Sequence, residues 1–263
     1  WSTAIRYFAL PFIPAAMYGV VGPSLAVEMG RHGGLAVLNL EGIFSRYANP
    51  SDVLERIVAA SQEEATKIIQ SIYGEPIKEE LIHQRIQEIK KGGGPAVVSS
   101  IPQRAERFAQ IAKEAGADIF VVQSTVTTAR HIATEYMPVD LRKLKKQLAI
   151  PLVIGNVVTY EACLELMACG VDALLIGVGP GPACTSREVL GLGVPQVTAT
   201  ADSAAARDFY YKRTGRYVPI ITDGGMTAGG DVCKGFASGA DAVMIGSAFA
   251  RAVEAPGRGY HWG

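Results

Sequence analysis

The chain has 263 residues, of which 25 are basic and 25 are acidic, so it carries no formal net charge. This balance argues against the broad basic surface of a nucleic-acid-binding protein, and no run of like charges predicts a disordered tail. With 29 glycines and only 19% charged residues, the composition is typical of a compact enzyme with many tight turns and excludes a coiled coil.

The sequence contains no feature that predicts a membrane protein or a secreted one. The longest apolar stretches, such as residues 173–179, are far shorter than the roughly 20 residues that cross a bilayer. The first residues lack the basic start and apolar core of a signal peptide. The four cysteines form no CxxC pair, which is typical of small buried side chains in a reducing cytosol, so we expect a cytoplasmic protein.

Short apolar runs alternate with helix-period segments along the chain, a rhythm that is typical of a parallel sheet with crossover helices. Because the runs show little alternation of polar and apolar residues, we expect strands that are covered on both faces. Eight runs occur, at residues 8–15, 35–40, 96–101, 119–124, 152–157, 173–178, 218–222 and 242–247. Amphipathic helices are predicted between most of them, at residues 103–115, 139–148, 160–169, 202–214 and 231–238.

Eight strands with this alternation predict a (β/α)₈ TIM barrel, an α/β fold with a single domain over residues 1–263, rather than an open sheet. Residues 50–94 break the rhythm with two helical segments, 52–73 and 79–91, which Gly74-Glu75-Pro76 separates. This stretch is too short for a typical independent domain, so we interpret it as an elaborated connection between two strands. The chain starts almost on its first strand and ends soon after its last, so both ends look incomplete.

A short motif recurs at the start of three predicted strands. GVDALLIG at 170–177 and GADAVMIG at 239–246 share one pattern, and GADIFVV at 116–122 is a partial third copy. Each copy is typical of a helix that stops at Gly, followed by a turn and a buried strand, as expected for repeated βα units.

The segment after the sixth predicted strand has unusual chemistry. In the sequence GVGPGPACTSR, at residues 177–187, glycines and prolines exclude both helix and strand and predict a shaped loop. This loop presents Cys184 beside the hydroxyl groups of Thr185 and Ser186, at the end of the strands where barrel enzymes have their active sites. A nucleophilic cysteine is one interpretation, and an incidental cysteine in a glycine-rich turn is the other.

The tips of the seventh and eighth predicted strands are also rich in glycine. Gly224 and Gly225 follow the seventh strand, and Gly246 and Ser247 follow the eighth. Many barrels bind phosphate at these two tips through backbone amides and hydroxyl groups. Tight turns required by barrel closure would also explain the glycines, Gly224 in particular. Asp223 would repel a phosphate, but its carboxylate suits a ribose hydroxyl.

The remaining polar residues give weaker indications. Asn156, at the end of the fifth predicted strand, is placed to orient a ligand hydroxyl. The histidines do not have the spacing of metal ligands and are scattered along the chain, at His32, His83, His131 and His261.

Together, these segments resemble the IMP dehydrogenase/GMP reductase family. The motifs that follow the family pattern in order and spacing are GNVVT at 155–159, GVGPGPACTSR at 177–187, TDGGM at 222–226, VMIGSAFA at 243–250 and EAPG at 254–257. NLEG at 39–42 and APGRGYHW at 255–262 are similar to the IMP dehydrogenase-related subfamily of cyanobacteria and actinobacteria. IMP dehydrogenases usually insert a pair of CBS domains after the second strand, whereas here the helical stretch 50–94 occupies that place, as in GMP reductases.

The resemblance implies a purine mononucleotide substrate (IMP, XMP or GMP), an NAD or NADP cofactor and a homotetramer. Cys184 would attack C2 of the purine, and Ser186 would assist the proton transfers. Because a CBS pair is absent, the reductase direction, from GMP to IMP, is slightly preferred. The dehydrogenase direction, from IMP to XMP, is the alternative.

The resemblance also implies ligands by position. The backbone carbonyls of Gly179, Gly181 and Cys184 match those that coordinate a monovalent cation such as K⁺ in the dehydrogenases. Asp223 matches the ribose ligand, and Asn156 matches a ligand near the ribose and the ring. The other substrate-binding positions are Gly181, Gly224, Gly225, Gly246 and Ser247, of which the last three form the phosphate cradle.

Several positions depart from the family pattern. The first strand ends in Ala15-Ala16-Met17-Tyr18 where a Ser-x-Met-Asp type of tip is usual, and Pro182 replaces a phosphate-binding Ser. Gln123 and Ser124 stand where an Asp often faces the nicotinamide. Each lost polar ligand costs about 1–3 kcal/mol of binding. A catalytically degenerate nucleotide-binding protein is therefore an alternative, and an FMN-dependent barrel is another, since such barrels also hold phosphate after strands seven and eight.

Overall fold

Eight parallel strands form the sheet in the computed structural model, which describes residues 8–134 and 137–262, the Gln62 side chain excepted. The strands are β1 (Phe12–Pro14), β2 (Val37–Asn39), β3 (Val97–Ser100), β4 (Ile119–Gln123), β5 (Leu152–Val157), β6 (Ala173–Ile176), β7 (Ile220–Asp223) and β8 (Ala242–Ile245). They are paired in the order β1-β8-β7-β6-β5-β4-β3-β2. Each predicted run overlaps one strand, which confirms the TIM barrel. We predicted that the N-terminal segment is not a signal peptide. Residues 1–7 of that segment lie outside the described residues.

Contacts at both ends of β1 and β2 bring these two strands together. At the amino end, the backbone N–H of Ala9 donates to the carbonyl of Gly33 at 2.8 Å. At the carboxyl end, Asn39 Nδ2 donates to the carbonyl of Ala16 at 3.1 Å. Within the described part of the chain, no continuous ladder of backbone hydrogen bonds joins the two strands, so the barrel is not fully closed by the backbone. The side chain of Asn39 completes the contact at the carboxyl end.

The strands supply two hydrophobic cores, one on each face. Inward side chains fill the barrel interior, among them Ile13, Val37, Val97, Val121, Val153, Leu175, Ile221 and Met244. Outward side chains pack against the helices, among them Leu38, Val98, Phe120, Val122, Ile154, Leu174 and Ile220. Because both faces are buried, the strands are apolar throughout, which explains the missing polar alternation in the sequence.

The crossover helices surround the sheet. They are α1 (Pro23–Arg31), α2 (Ser51–Ala59), α3 (Gln62–Tyr73), α4 (Glu79–Lys91), α5 (Ala105–Glu114), α6 (Leu141–Gln147), α7 (Tyr160–Ala168), α8 (Ser186–Val189), α9 (Gln196–Thr214) and α10 (Gly229–Ala237). Three of them, α2 to α4, lie between β2 and β3, in the stretch where the sequence rhythm is broken. Across residues 8–134 and 137–262, no helix combines the length and apolar composition that a membrane span requires.

Two helix predictions were wrong in their bounds, and two helices were missed, namely α1 and the four-residue α8, which begins inside the segment 177–187 that we predicted as a loop. The segment predicted at 52–73 is two helices, because Ser61 caps a new one: its Oγ accepts from the N–H of Glu64 at 3.4 Å and donates to the Glu64 carboxylate at 2.7 Å. The helix predicted from residue 202 already begins at Gln196. Helix α1, which starts at Pro23, was not predicted.

The recurrent Gly-Ala-Asp motif has a specific structural role. In each copy, the Asp accepts the backbone N–H at the start of the preceding strand, in the pairs Asp118 and Ala96 at 2.9 Å, Asp172 and Leu152 at 2.7 Å, and Asp241 and Ile220 at 2.9 Å. A cationic side chain contacts each of these carboxylates, namely Lys90, Lys145 and Arg207. The repeat therefore ties adjacent strands together at the amino end of the barrel, away from the carboxyl-end tips.

Candidate active site

A cavity of about 340 Å³ opens at the carboxyl ends of the strands and is lined by the tips of all eight. Its volume falls in the range of roughly 300–1,000 Å³ that is usual for small-molecule sites. The sequence-predicted residues that line it are Gln123, Ser124, Asn156, Gly179, Gly181, Cys184, Asp223, Gly224, Gly225, Gly246 and Ser247. The predicted catalytic residue Ser186 lies outside this lining but contacts Cys184. The fold thus brings the predicted site residues to one place.

The loop after β6 is held in shape by Arg187. Its Nε donates to the carbonyl of Val178 at 3.3 Å, and its Nη2 donates to the carbonyl of Val194 at 2.6 Å. Gly179 has a φ of +71°, and a Cβ there would lie 2.7 Å from Arg187 Cγ. Glycine is required at this position because the backbone is left-handed and the arginine stem occupies the space of a side chain.

Cys184 sits at the exposed end of this loop. Its backbone N–H donates to the carbonyl of Gly181 at 3.0 Å, which forms a turn. Its Sγ lies 3.3 Å from the Ser186 hydroxyl. The thiol is accessible from the cavity and has a hydroxyl partner, which are the two conditions for a nucleophile that exchanges a proton nearby.

The Cys loop packs directly on the tip of β7. Gly224 and Gly225 have φ values of +83° and +77°. A Cβ on Gly224 would lie 3.3 Å from Pro180 Cγ, and a Cβ on Gly225 would lie 3.0 Å from Pro180 Cβ. The glycine pair therefore allows the two tips to approach closely, which places the loop that carries Cys184 against the predicted phosphate cradle.

We expect Gly225→Ala to destabilise the fold by about 1–2 kcal/mol, because a left-handed residue with a Cβ is strained and this Cβ meets Pro180. Urea denaturation measures the effect. Gly229→Ala is the matched control, since Gly229 has open space around it and no positive φ. Equal free energies of unfolding for the two variants would contradict this reading of the glycine pair.

Asp223, at the end of β7, is the centre of a polar network. Its Oδ2 accepts from Asn156 Nδ2 at 2.8 Å and from Gln123 Nε2 at 3.0 Å. Gln123 Nε2 also donates to Asn156 Oδ1 at 3.2 Å. Burial raises the pKa of Asp223 to about 6, and the hydrogen bonds from Asn156 and Gln123 oppose this rise only in part. The tips of β4, β5 and β7 therefore hold one carboxylate in place.

This network determines which atom of Gln123 remains available to a ligand. We predicted Gln123 and Ser124 to lie near the cofactor, and both line the cavity. Both amide hydrogens of Gln123 are directed to Asn156 and Asp223, so its Oε1 is the atom left for a ligand. Ser124 Oγ lies 2.9 Å from both the carbonyl of Val126 and the hydroxyl of Thr127.

Donors for an anion lie at the tips of β7 and β8. Among the described residues, no acceptor is found for the backbone N–H groups of Gly225 and Ser247. Unpaired N–H groups on a cavity wall favour an anionic ligand. The phosphate cradle predicted from the glycine pattern thus has donors at both tips.

The backbone carbonyls of the Cys loop fit a monovalent cation. Those of Gly179 and Cys184 accept no hydrogen bond from any described residue, while that of Gly181 accepts the N–H of Cys184. A carbonyl oxygen has two lone pairs, so Gly181 retains one for coordination. All three carbonyls therefore have capacity for a cation such as K⁺.

Three of the polar residues that sequence reasoning missed lie in or directly beside the site. Asn39 lines the cavity while its amide contacts the tip of β1. Gln196 Nε2 donates to the carbonyls of Ile176 at 2.7 Å and Asp223 at 3.1 Å, and so fixes the tips of β6 and β7. His261 lines the cavity with its Nε2 3.4 Å from Ser247 Oγ. Their positions depend on contacts that are distant in sequence, although Asn39 and His261 fall in the NLEG and APGRGYHW motifs.

The residues that depart from the family pattern at the end of β1 and in the Cys loop lie in two different places. Pro182 and Ala15 line the cavity. Tyr18 packs outside it, with its ring centroid 4.9 Å from that of Tyr73 on α3. The substitution at Tyr18 therefore affects the contact with the inserted helices, whereas those at Ala15 and Pro182 remove polar atoms from the cavity wall.

Comparisons with known proteins agree on one family. The family model described as IMP dehydrogenase / GMP reductase domain matches residues 3–262. A protein from Mycolicibacterium smegmatis named as an uncharacterized oxidoreductase is 35% identical over 269 residues, which cover 100% of this chain and 72% of that protein. Inosine-5'-monophosphate dehydrogenase from Thermoplasma acidophilum is 42% identical over 157 residues, which cover 60% of this chain and 30% of that enzyme.

A solved structure gives the same result. The IMP dehydrogenase/GMP reductase-like protein from Corynebacterium glutamicum superposes with a TM-score of 0.90 at 37% identity. The match covers 97% of this chain and 68% of that one. The barrel fold is therefore shared, over nearly the whole chain, with a protein of known structure.

Proposed function

Because the chain belongs to the IMP dehydrogenase/GMP reductase family, we propose that it is an NAD(P)-dependent oxidoreductase that acts at C2 of a purine mononucleotide through a covalent bond to Cys184. The observation that carries the proposal is one cavity that holds an accessible thiol, a ribose-type carboxylate and two tips with free N–H donors. The thiol suits the purine base, the carboxylate suits the ribose, and the N–H donors suit the phosphate.

Cys184 is the proposed nucleophile. In the reductase direction, its sulfur would add to C2 of GMP and the 2-amino group would leave as ammonia; addition of a hydride to C2 and loss of the sulfur would then give IMP and restore the thiol. In the dehydrogenase direction, the sulfur adds to C2 of IMP, the hydrogen on C2 leaves as hydride, and water then hydrolyses the adduct to XMP. Ser186 Oγ, 3.3 Å from the sulfur, exchanges the proton as the C–S bond forms and breaks.

The remaining lining residues bind the nucleotide. Asp223, oriented by Asn156 and Gln123, accepts hydrogen bonds from the ribose hydroxyls. The phosphate lies in the cradle of Gly225, Gly246 and Ser247, close to Gly224 and Gly181. With the ribose and the phosphate held at these positions, binding energy from the phosphate would help to position C2 at Cys184.

The proposed cofactor lies on the side of Gln123 and Ser124. A nicotinamide dinucleotide supplies or accepts the hydride when it is bound. Gln123 Oε1 is the acceptor that this chain offers there, in place of a carboxylate. The carbonyls of Gly179, Gly181 and Cys184 would hold a cation such as K⁺, which would fix the loop that carries the nucleophile.

We slightly prefer the reductase direction, GMP to IMP, over the dehydrogenase direction. The reason is that helices α2–α4 lie after β2, where IMP dehydrogenases usually carry a pair of CBS domains. The family resemblance further supports a homotetramer in the cytoplasm. Light scattering coupled to size-exclusion chromatography measures the mass of the assembly and tests the tetramer.

Two assays test the proposed reaction. The purified protein is incubated with GMP and NADPH, and separately with IMP and NAD⁺, while the nicotinamide absorbance is followed. We expect turnover in one of the two, and we expect Cys184→Ala to abolish it. No turnover in either, together with stabilisation of the fold by nucleotide, would instead assign the degenerate binding protein that Ala15 and Pro182 suggest. A yellow protein with flavin absorbance would assign the FMN-dependent alternative.

A further inference from the structure

The charge balance of the cavity is incomplete. A phosphomonoester carries close to two negative charges near neutral pH, and the carboxylate of Asp223 lies on the same cavity. Among the described residues that line the cavity, none is Lys or Arg, and His261 is the one whose type of side chain can carry a positive charge. His261 is therefore the candidate for a cationic partner of the phosphate, beside the N–H donors of the cradle.

His261 lies at the phosphate cradle. Its Nε2 is 3.4 Å from Ser247 Oγ, and both residues are half-buried in the cavity wall. Ser247 follows β8 and has a backbone N–H without an acceptor in the described chain. A phosphate oxygen at hydrogen-bond distance from the Ser247 hydroxyl is consequently also within reach of the imidazole.

Contacts of its neighbours hold His261 in this position. The carbonyl of Trp262 accepts the N–H of Tyr18 at 3.3 Å, and Trp262 Nε1 donates to the Tyr73 hydroxyl at 3.1 Å. A Cβ on Gly19 would lie 2.6 Å from the carbonyl oxygen of Tyr260 and 2.7 Å from the Trp262 ring. The segment on both sides of His261 is thus packed on the β1–α1 loop and on α3, which limits where the imidazole can go.

We propose that His261 is the cationic ligand of the substrate phosphate, donating from Nε2 to an oxygen that Ser247 also contacts. The inference rests on the proposed function, because it needs a phosphomonoester in this cradle. It adds a residue from the segment after β8 to a site that is otherwise built from strand tips. It also gives the inserted helix α3 a role, since α3 anchors Trp262.

Paired ligands test this role by isothermal titration calorimetry. GMP and guanosine differ only in the phosphate, as do IMP and inosine. We expect His261→Ala to weaken the binding of the nucleotide by about 10–100-fold, as for a lost charge-assisted hydrogen bond, and to leave the binding of the nucleoside unchanged. His261→Lys restores a cation and should recover much of the affinity for the nucleotide, whereas His261→Gln, which retains only a neutral donor, should recover less.

The controls separate this proposal from the proposed function. His83→Ala, on the exposed face of α4, is the matched control and should bind both ligands as the unmodified protein does. If the unmodified protein does not prefer nucleotide to nucleoside, the phosphate cradle and with it the proposed function are wrong. If it does prefer the nucleotide, but His261→Ala keeps the same preference or weakens both ligands equally, the role of His261 is overturned and the proposed function stands.

Discussion

Replacing Cys184 with Ala is expected to reduce kcat by at least about 10⁴-fold, because a covalent mechanism has no other nucleophile to form the adduct. Nucleotide affinity should change by less than about threefold, since the thiol contributes little to ground-state binding. Steady-state assays with the active nucleotide and nicotinamide pair measure the first effect, and calorimetry measures the second. Acid quenching of the unmodified enzyme during turnover, followed by mass spectrometry, should detect a purine adduct on the peptide that contains Cys184.

The matched control for this prediction is Cys233→Ala. Cys233 is also exposed, but it lies on α10 outside the cavity. Its removal should leave both activity and adduct formation unchanged. A Cys184→Ala variant that retains more than about a tenth of the unmodified activity would remove covalent catalysis from the proposed mechanism, even if the protein binds nucleotides.

The barrel could be predicted from the sequence because its signal is local. Each strand is a run of apolar residues that is buried on two faces, so the run needs no knowledge of its partners to be recognised. Helix α1 was missed although Pro23 at its first position is a helix-start signal, because the helix has only nine residues and no side-chain cap at its N-terminus. The break at Ser61 was missed although the Ser-x-x-Glu capping sequence is present, because the apolar period continues across it.

The candidate site was predictable in composition but not in its connections. Glycine-rich tips can be read in the sequence, since the backbone conformations there favour glycine. The bond between Gln123 and Asp223 joins residues 100 positions apart, and that between His261 and Ser247 depends on how the last segment packs on α3. Such contacts are set by the packing of the whole barrel, so no local pattern in the sequence indicates them.

Asp223→Asn is expected to stabilise the fold at pH 8 by about 1–3 kcal/mol and to weaken nucleotide binding by about 100-fold. The first effect follows from linkage. In the unfolded chain the carboxyl group has its ordinary pKa of 3.8, whereas burial raises the pKa to about 6 in the folded protein. The folded state therefore binds the proton more tightly, and stability falls as the pH rises from about 4 through 6. Above that range the ionised carboxylate carries its full cost.

Chemical denaturation at several pH values measures this difference in stability. The unmodified protein and Asp223→Asn should unfold at similar free energies near pH 3, where the carboxyl group is largely protonated in both states, should diverge as the pH rises from about 4 to 6, and should keep a constant difference above that range. Asp202→Asn, at an exposed position on α9, should follow the unmodified protein at every pH. Parallel curves for Asp223→Asn and the unmodified protein between pH 4 and 8 would show that burial does not penalise this carboxylate.

The expected loss of affinity would explain why a destabilising carboxylate stands in the wall of the cavity. In the proposed complex, ionised Asp223 would accept two hydrogen bonds from neighbouring ribose hydroxyls. The amide of Asn has one acceptor oxygen, and its two N–H donors do not match hydroxyl groups that must themselves donate. Nucleotides that lack the 2′- and 3′-hydroxyls isolate this contact: they should bind the unmodified protein and Asp223→Asn with equal affinity. Because the ribose binds the ionised form, the affinity of the unmodified protein for the complete nucleotide should also rise with pH across the titration near 6, and this rise should be absent in Asp223→Asn.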